Sequence, residues 1–273
     1  MNFNYNTLNV TLQKETRSVE IELNRPEKGN AINVEMLFEL ESLFSWLTGH
    51  LEVNAVLLKG SGEKFCTGFD SDELKIMSEE KLKKYMVRFQ KVVSGMLYLP
   101  QTVVCDLGGG AEGMGIELAL GADIRVGSNS GQTNFNNLDK GWVPCCGGIG
   151  LLSIWVGNAN ARAWTLSSQS VNHNDLVNKG LFLSTYEGTG NNTTEAILKN
   201  ISAQAPIARI QAKRSLLESI LPEVQRTFEF ESIFSFASIK TGDWNKDEEA
   251  NFTQARDLAR ELKKSKQTED FLI

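Results

Sequence analysis

Five glycines crowd into Gly108-Gly109-Gly110-Ala111-Glu112-Gly113-Met114-Gly115, between an apolar run and a helical pattern. The run, Thr102 to Leu107, reads as a strand, and Ile116 to Leu120 reads as a helix. Glycines at a strand-to-helix turn let the backbone approach a ligand closely. The free N–H groups at the start of the helix can hold a negative oxygen. Glu117 then stands about one turn inside that helix. Anion-holding amides beside a carboxylate suit chemistry that passes through an enolate.

The rest of the chain repeats the alternation of strand and helix. Val19 to Leu23 alternates like a half-buried strand. Asn33 reads as an N-cap, with Met36, Leu37, Leu40, Leu43, Phe44 and Leu47 following at helical spacing until Gly49. Ala55 to Leu58 is a buried strand, and Phe65 to Asp70 is a turn. Ser78 opens a second amphipathic helix that ends before Pro100, and Asp123 to Val126 is a further strand. From Pro206 onward the pattern is nearly all helical, with an apolar stretch of Phe228, Phe230, Ile233, Phe234 and Phe236 and a charged helix over 247–264. This alternation predicts an α/β core with an appended helical layer.

Composition narrows the partners. The net charge is −6 and there is no dense basic block, which argues against nucleic acid. No apolar run is long enough for a membrane span, and residues 1–6 lack the pattern of a secretory signal. The four cysteines, Cys66, Cys105, Cys145 and Cys146, show no paired metal-binding spacing, so no metal is expected. Reduced thiols in a cytoplasmic protein are the expectation, since adjacent Cys145 and Cys146 sit too close for ordinary disulfide geometry. His50 and His173 read as surface residues, and Trp142 reads as core packing or a wall of an acyl site.

Four motifs then occur in order: Asn24-Arg25-Pro26-Glu27-Lys28-Gly29-Asn30-Ala31-Ile32, Phe65-Cys66-Thr67-Gly68-Phe69-Asp70, the stretch from Gly109 to Ala119, and Pro144 with Gly147-Gly148. Together they resemble the crotonase superfamily of enoyl-CoA hydratases and isomerases. The resemblance implies a crotonase-like spiral of ββα units over 1–200 and a C-terminal helical region over 201–273 that builds trimers or dimers of trimers. It implies an acyl-CoA thioester, or an acyl group on a carrier protein's pantetheine arm, as substrate, with no cofactor beyond that carrier. By position, the backbone amides of Phe69 and Met114 are the oxyanion-hole donors. Ala31, Thr67, Gly68, Asp70, Gly113, Asn137 and Trp142 are the substrate-binding candidates, with Arg25 and Lys28 as the basic candidates for phosphate contact.

Glu117 falls where hydratases keep the first of two catalytic glutamates. At the second position the chain departs from the pattern. An ungapped count places Asn137 there, and Asn is no general acid or base. A gapped count through Phe135-Asn136-Asn137-Leu138-Asp139 places Asp139 there instead. Other departures are the bulky Phe69, Asp72 where hydratases often carry a Lys, and the missing basic segment after Phe252. The favoured reaction is hydration or dehydration of the 2,3 bond with Glu117 as acid/base. The alternatives are double-bond isomerisation or decarboxylation, and an acyl-thioester-binding scaffold.

Overall fold

The computed structural model describes residues 3–188 and 190–244. The charged stretch 247–264 and the segment after Phe252 lie outside the described residues. Strand β1 (Leu8–Gln13) pairs antiparallel with β2 (Ser18–Leu23), a hairpin that the sequence pattern reveals only in its second arm. Helix α1 (Val34–Thr48) follows, with the Asn33 side chain accepting the Met36 amide at 2.9 Å. Its apolar stripe, Met36 to Leu47 at helical spacing, is buried as the periodicity predicts. Strand β3 (Ala55–Gly60), helix α2 (Ser71–Lys75), helix α3 (Glu79–Tyr98) and strand β4 (Thr102–Asp106) come next. The short helix α2 has no counterpart in the sequence reading; Asp70 caps it.

Helix α4 (Met114–Leu120) carries Glu117, and strand β5 (Ile124–Ser128) follows it. A small hairpin joins β6 (Gln132–Asn134) to β7 (Ser170–Asn172) across helix α5 (Gly150–Leu166). Helix α6 (His173–Asn178), strand β8 (Ser184–Tyr186), α7 (Asn191–Ser202), α8 (Pro206–Glu218) and α9 (Leu221–Thr241) complete the described chain.

The main sheet runs β1-β2-β3-β4-β5-β8, parallel from β2 onward. Because β2, β3 and β4 are parallel, the loops at residues 24–33, 61–70 and 107–113 all leave the same edge of the sheet. Ligands in open parallel sheets bind beyond that carboxyl edge. Buried strands such as β3, whose first four residues are all covered, read as unbroken apolar runs for this reason.

His173 is not a surface residue. It is fully buried, with Nδ1 on the Ser128 carbonyl and Nε2 against the Thr133 hydroxyl, and its ring packs beside Phe182. Burial pushes its pKa down to about 4, so it is a neutral core residue.

Candidate active site

The two glycine turns are packed against each other, backbone to backbone. Cys66 bridges Ala111 in parallel register, and its carbonyl accepts the Glu112 amide at 3.0 Å. Most of the glycines serve close backbone packing rather than a ligand. A Cβ on Gly110 would sit 1.8 Å from the Gln132 carbonyl oxygen, and one on Gly115 would sit 2.3 Å from that of Cys66. Gly113 is the member of the run that lines the cleft.

The same packing brings the first turn up to the start of α4. A Cβ on Gly68 would lie 3.4 Å from the Met114 nitrogen, so the first turn abuts the start of α4. Among the described residues, neither the Phe69 nor the Met114 amide has a protein hydrogen-bond partner. Both residues line a cleft of about 460 Å³ at the carboxyl edge of the sheet. Lys28, Ala31, Thr67, Gly68, Asp70, Gly113, Asn137 and Trp142 line the same cleft. Asp72, Lys75, Lys140 and Trp244 join them there, and the motif comparison passed over the last three. Lys75 is legible only as one turn beyond Asp72 on α2.

Arg25 does not line the cleft. Its guanidinium is held by Asp70 at 2.7 Å and by the Ala31 carbonyl at 2.6 Å, so it braces the first loop against the second. Lys28 pairs with Asp72 at 2.7 Å at the cleft mouth, and that partner raises its pKa. Phe69 packs edge-on against Tyr85, Phe89 and Trp142, with centroids 5.1, 5.8 and 5.6 Å away. Trp142 in turn stacks on Trp244 at 5.0 Å. This aromatic wall narrows the apolar side of the cleft.

Glu117 is fully buried and lies behind Asn137, whose Nδ2 donates to its Oε1 at 2.7 Å. Its Oε2 accepts the amides of Cys146 at 2.6 Å, Cys145 at 3.0 Å and Gly148 at 3.3 Å. Oε1 has one donor and keeps a lone pair. Burial, and then the charge of Glu231, push the Glu117 pKa up to about 8. Asp139 sits exposed in a single 3₁₀ turn, Leu138–Lys140, and does not line the cleft.

Glu231 completes the arrangement, and no motif points to it. It is a buried carboxylate on α9 that accepts the amides of Gly147 at 2.6 Å, Ile149 at 2.9 Å and Gly150 at 2.8 Å. Those amides open α5, where a carboxylate is favoured by the helix dipole. Burial pushes its pKa up to about 7. The apolar stretch Phe228 to Phe236 carries two acids, Glu229 and Glu231, and nothing in the sequence separates the buried one from its neighbour.

Cys145 and Cys146 are buried and do not line the cleft. Together with a Glu117 oxygen, their sulfurs form a group within 4.8 Å. Burial raises the Cys145 thiol to about 11 and pushes Cys146 well above the ordinary thiol value, so both stay protonated. With three amides already on Oε2, the group suits neither a metal nor a nucleophile.

The Enoyl-CoA hydratase/isomerase family model matches residues 14–247. A short-chain-enoyl-CoA hydratase of Clostridium acetobutylicum is 30% identical over 226 residues, 82% of this chain and 87% of the relative. A peroxisomal Delta(3,5)-Delta(2,4)-dienoyl-CoA isomerase of Arabidopsis thaliana is 23% identical over 256 residues, 88% of this chain and 92% of the relative. The solved enoyl-CoA hydratase/isomerase of Mycobacterium paratuberculosis superposes with a TM-score of 0.83 at 22% identity, covering 89% of this chain and 98% of that one. It shares the fold: α/β, of the crotonase type. With four motifs in order, a paired-turn cleft at the sheet edge and a family match over most of its length, the chain belongs to the enoyl-CoA hydratase/isomerase family.

Proposed function

We propose that the protein shifts a double bond in an enoyl thioester, with Glu117 as its single acid/base. The thioester carbonyl accepts the Phe69 and Met114 amides. In a comparable hole each donor removed costs roughly 2.7–4 kcal/mol of transition-state stabilisation. Ionised Glu117 takes the proton from the carbon next to the carbonyl, and the resulting dienolate is held by the two amides. Glu117 then returns the proton two carbons further on, and the conjugated thioester is left. Rotation of the Asn137 side chain opens Oε1 to the cleft.

The observation that carries this reading is the pairing of Asn137 with Glu117. Asn137, the residue an ungapped count assigns to the second catalytic position, commits its side-chain nitrogen to Glu117 at 2.7 Å. Asp139 is exposed and away from the cleft, so it offers no second carboxylate there. A one-carboxylate site suits proton relocation better than two-carboxylate addition of water. Hydration of the 2,3 bond is the second reading, favoured by the 30% identity to a short-chain-enoyl-CoA hydratase.

Lys28, Lys75 and Lys140 at the mouth suit the phosphates of coenzyme A or of a carrier protein's pantetheine arm. Among the described residues, no helix is long and apolar enough to cross a membrane. A homotrimer or dimer of trimers in the cytoplasm goes with the same reading.

The test follows ultraviolet absorbance with a 3-enoyl-CoA and, separately, with crotonyl-CoA. Appearance of the conjugated enoyl signal from the first, abolished in Glu117→Gln, is the expected result. Loss of the crotonyl signal, equally abolished, would transfer the assignment to hydration. Equal rates in wild type and Glu117→Gln would remove Glu117 from the chemistry. No turnover of either would leave a thioester-binding role.

A further inference from the structure

A second cleft lies away from the thioester site, between the end of α3, the start of β5, α5 and the α8–α9 corner. It encloses about 470 Å³, the size range of small-molecule sites. Leu97, Trp155, Leu216, Leu217 and Ile220 make it mostly apolar. One strongly polar group lines it without being satisfied. Arg209 is only 7% exposed, yet its Nε and Nη2 have no hydrogen-bond partner among the described residues. Its remaining nitrogen, Nη1, is occupied by the Pro100 carbonyl at 2.8 Å and the Thr102 hydroxyl at 3.4 Å.

The two orphaned nitrogens form one edge of the guanidinium fork. That edge matches the two oxygens of a carboxylate or phosphate. Buried N–H groups without an acceptor are costly, and native structures rarely keep them. Asp123 compensates the charge of Arg209 only in part. Asp123 is the acid of the cleft, and its Oδ2 already takes the Lys213 ammonium and the Val103 amide, each at 2.7 Å. Two cations therefore face one committed carboxylate.

We propose that this cleft is a second binding site, for a small amphipathic anion whose carboxylate or phosphate docks on the Nε–Nη2 edge of Arg209. Its apolar body lies against Trp155 and the leucines. The site is separate from the thioester cleft and shares no lining residue with it.

Octanoate serves as the probe on the full chain, with coenzyme A present in excess to occupy the thioester cleft. Calorimetry reads affinity, and Trp155 fluorescence reads location, with Trp155→Phe as the control that keeps the heat and loses the quench. The expected result is saturable binding that weakens at least tenfold for 1-octanol and for Arg209→Leu. Arg209→Lys, which keeps the charge but not the fork, falls between. Octanoate also raises the melting temperature of the wild type and not of Arg209→Leu. Inorganic phosphate competing with octanoate would assign the head-group pocket to phosphate as well. Affinity indifferent to both Arg209 variants, displacement by coenzyme A, or no binding would overturn the proposal. So would an oligomer that binds no octanoate and dissociates in Arg209→Leu, because a second copy would then fill the cleft.

Discussion

Glu117 and Glu231 divide between them the amides of six consecutive residues. Glu117 takes those of Cys145, Cys146 and Gly148, and Glu231 takes those of Gly147, Ile149 and Gly150. The turn that closes the inner end of the site is therefore written in backbone donors and two carboxylates from distant helices. The charge of Glu231 helps push the Glu117 pKa up to about 8. A rate that needs ionised Glu117 rises as pH climbs through that value. Glu231→Gln removes the charge and moves the midpoint of the pH–rate profile downward. It also leaves one amide short of an acceptor, which costs about 1–3 kcal/mol of stability. A profile unchanged in the variant would show that Glu231 has no electrostatic hold on the site.

The same pair sets a pH dependence of stability. Both carboxylates have folded pKa values above the ordinary 4.5, at about 8 and about 7. Between these limits the folded state binds more protons than the unfolded one, so stability falls as pH rises. The contribution is complete below pH 4.5 and is lost on passing through 7 and 8. Thermal melts from pH 5 to 9 should show a declining midpoint, with a shallower decline in Glu231→Gln.

Gly148 has no room for a methyl group. A Cβ there would lie 2.6 Å from Pro144 Cβ and 2.8 Å from Glu117 Cδ. Gly148→Ala should cost about 1–3 kcal/mol in overpacking. It should also displace the Glu117 carboxylate, so that kcat falls more than KM changes. Steady-state kinetics on the folded variant checks this.

In the proposed site Phe69 donates from its backbone, and its ring narrows the cleft. Phe69→Ala keeps the amide and removes three edge-on aromatic contacts. Stability should drop by about 3 kcal/mol, the lower end for such truncations, because the ring is only half-buried. Preference should shift toward longer or branched acyl chains. A kcat/KM series over acyl length reads that shift.

Lys28→Ala and Lys75→Ala test the phosphate contacts. Each should raise KM for a CoA thioester about two- to fivefold with kcat unchanged, as exposed ion pairs of up to about 1 kcal/mol give. The increase should shrink at high salt. An acyl-pantetheine substrate without the nucleotide should be indifferent to both changes.

Helices and buried strands were legible because their periodicity is local: the stripe of α1 and the apolar run of β3 identify themselves. The short strands β6, β7 and β8 were not, since three residues carry no period and their pairing comes from distant segments. The paired turns were legible from glycine content and order, though most of those glycines answer to the facing backbone. Glu117 was visible from its place after the turn. Its confinement behind Asn137 was not, because that depends on where the loop at 135–141 returns. Glu231 escaped because its partners are amides, which leave no mark on side-chain identity. His173 was misread for the converse reason: a polar neighbourhood in sequence became a packed one in space.

Glu231 gives the site a dependence on the order in which the chain is made. Phe69, Met114, Glu117 and the Cys145–Gly150 turn are all synthesised before α9 emerges. Until α9 docks, the amides of Gly147, Ile149 and Gly150 lack the Glu231 acceptor, and Glu117 alone holds the turn. A ribosome-bound chain that already holds its sheet therefore still lacks half of the carboxylate contacts on this turn until α9, the last helix among the described residues, has emerged.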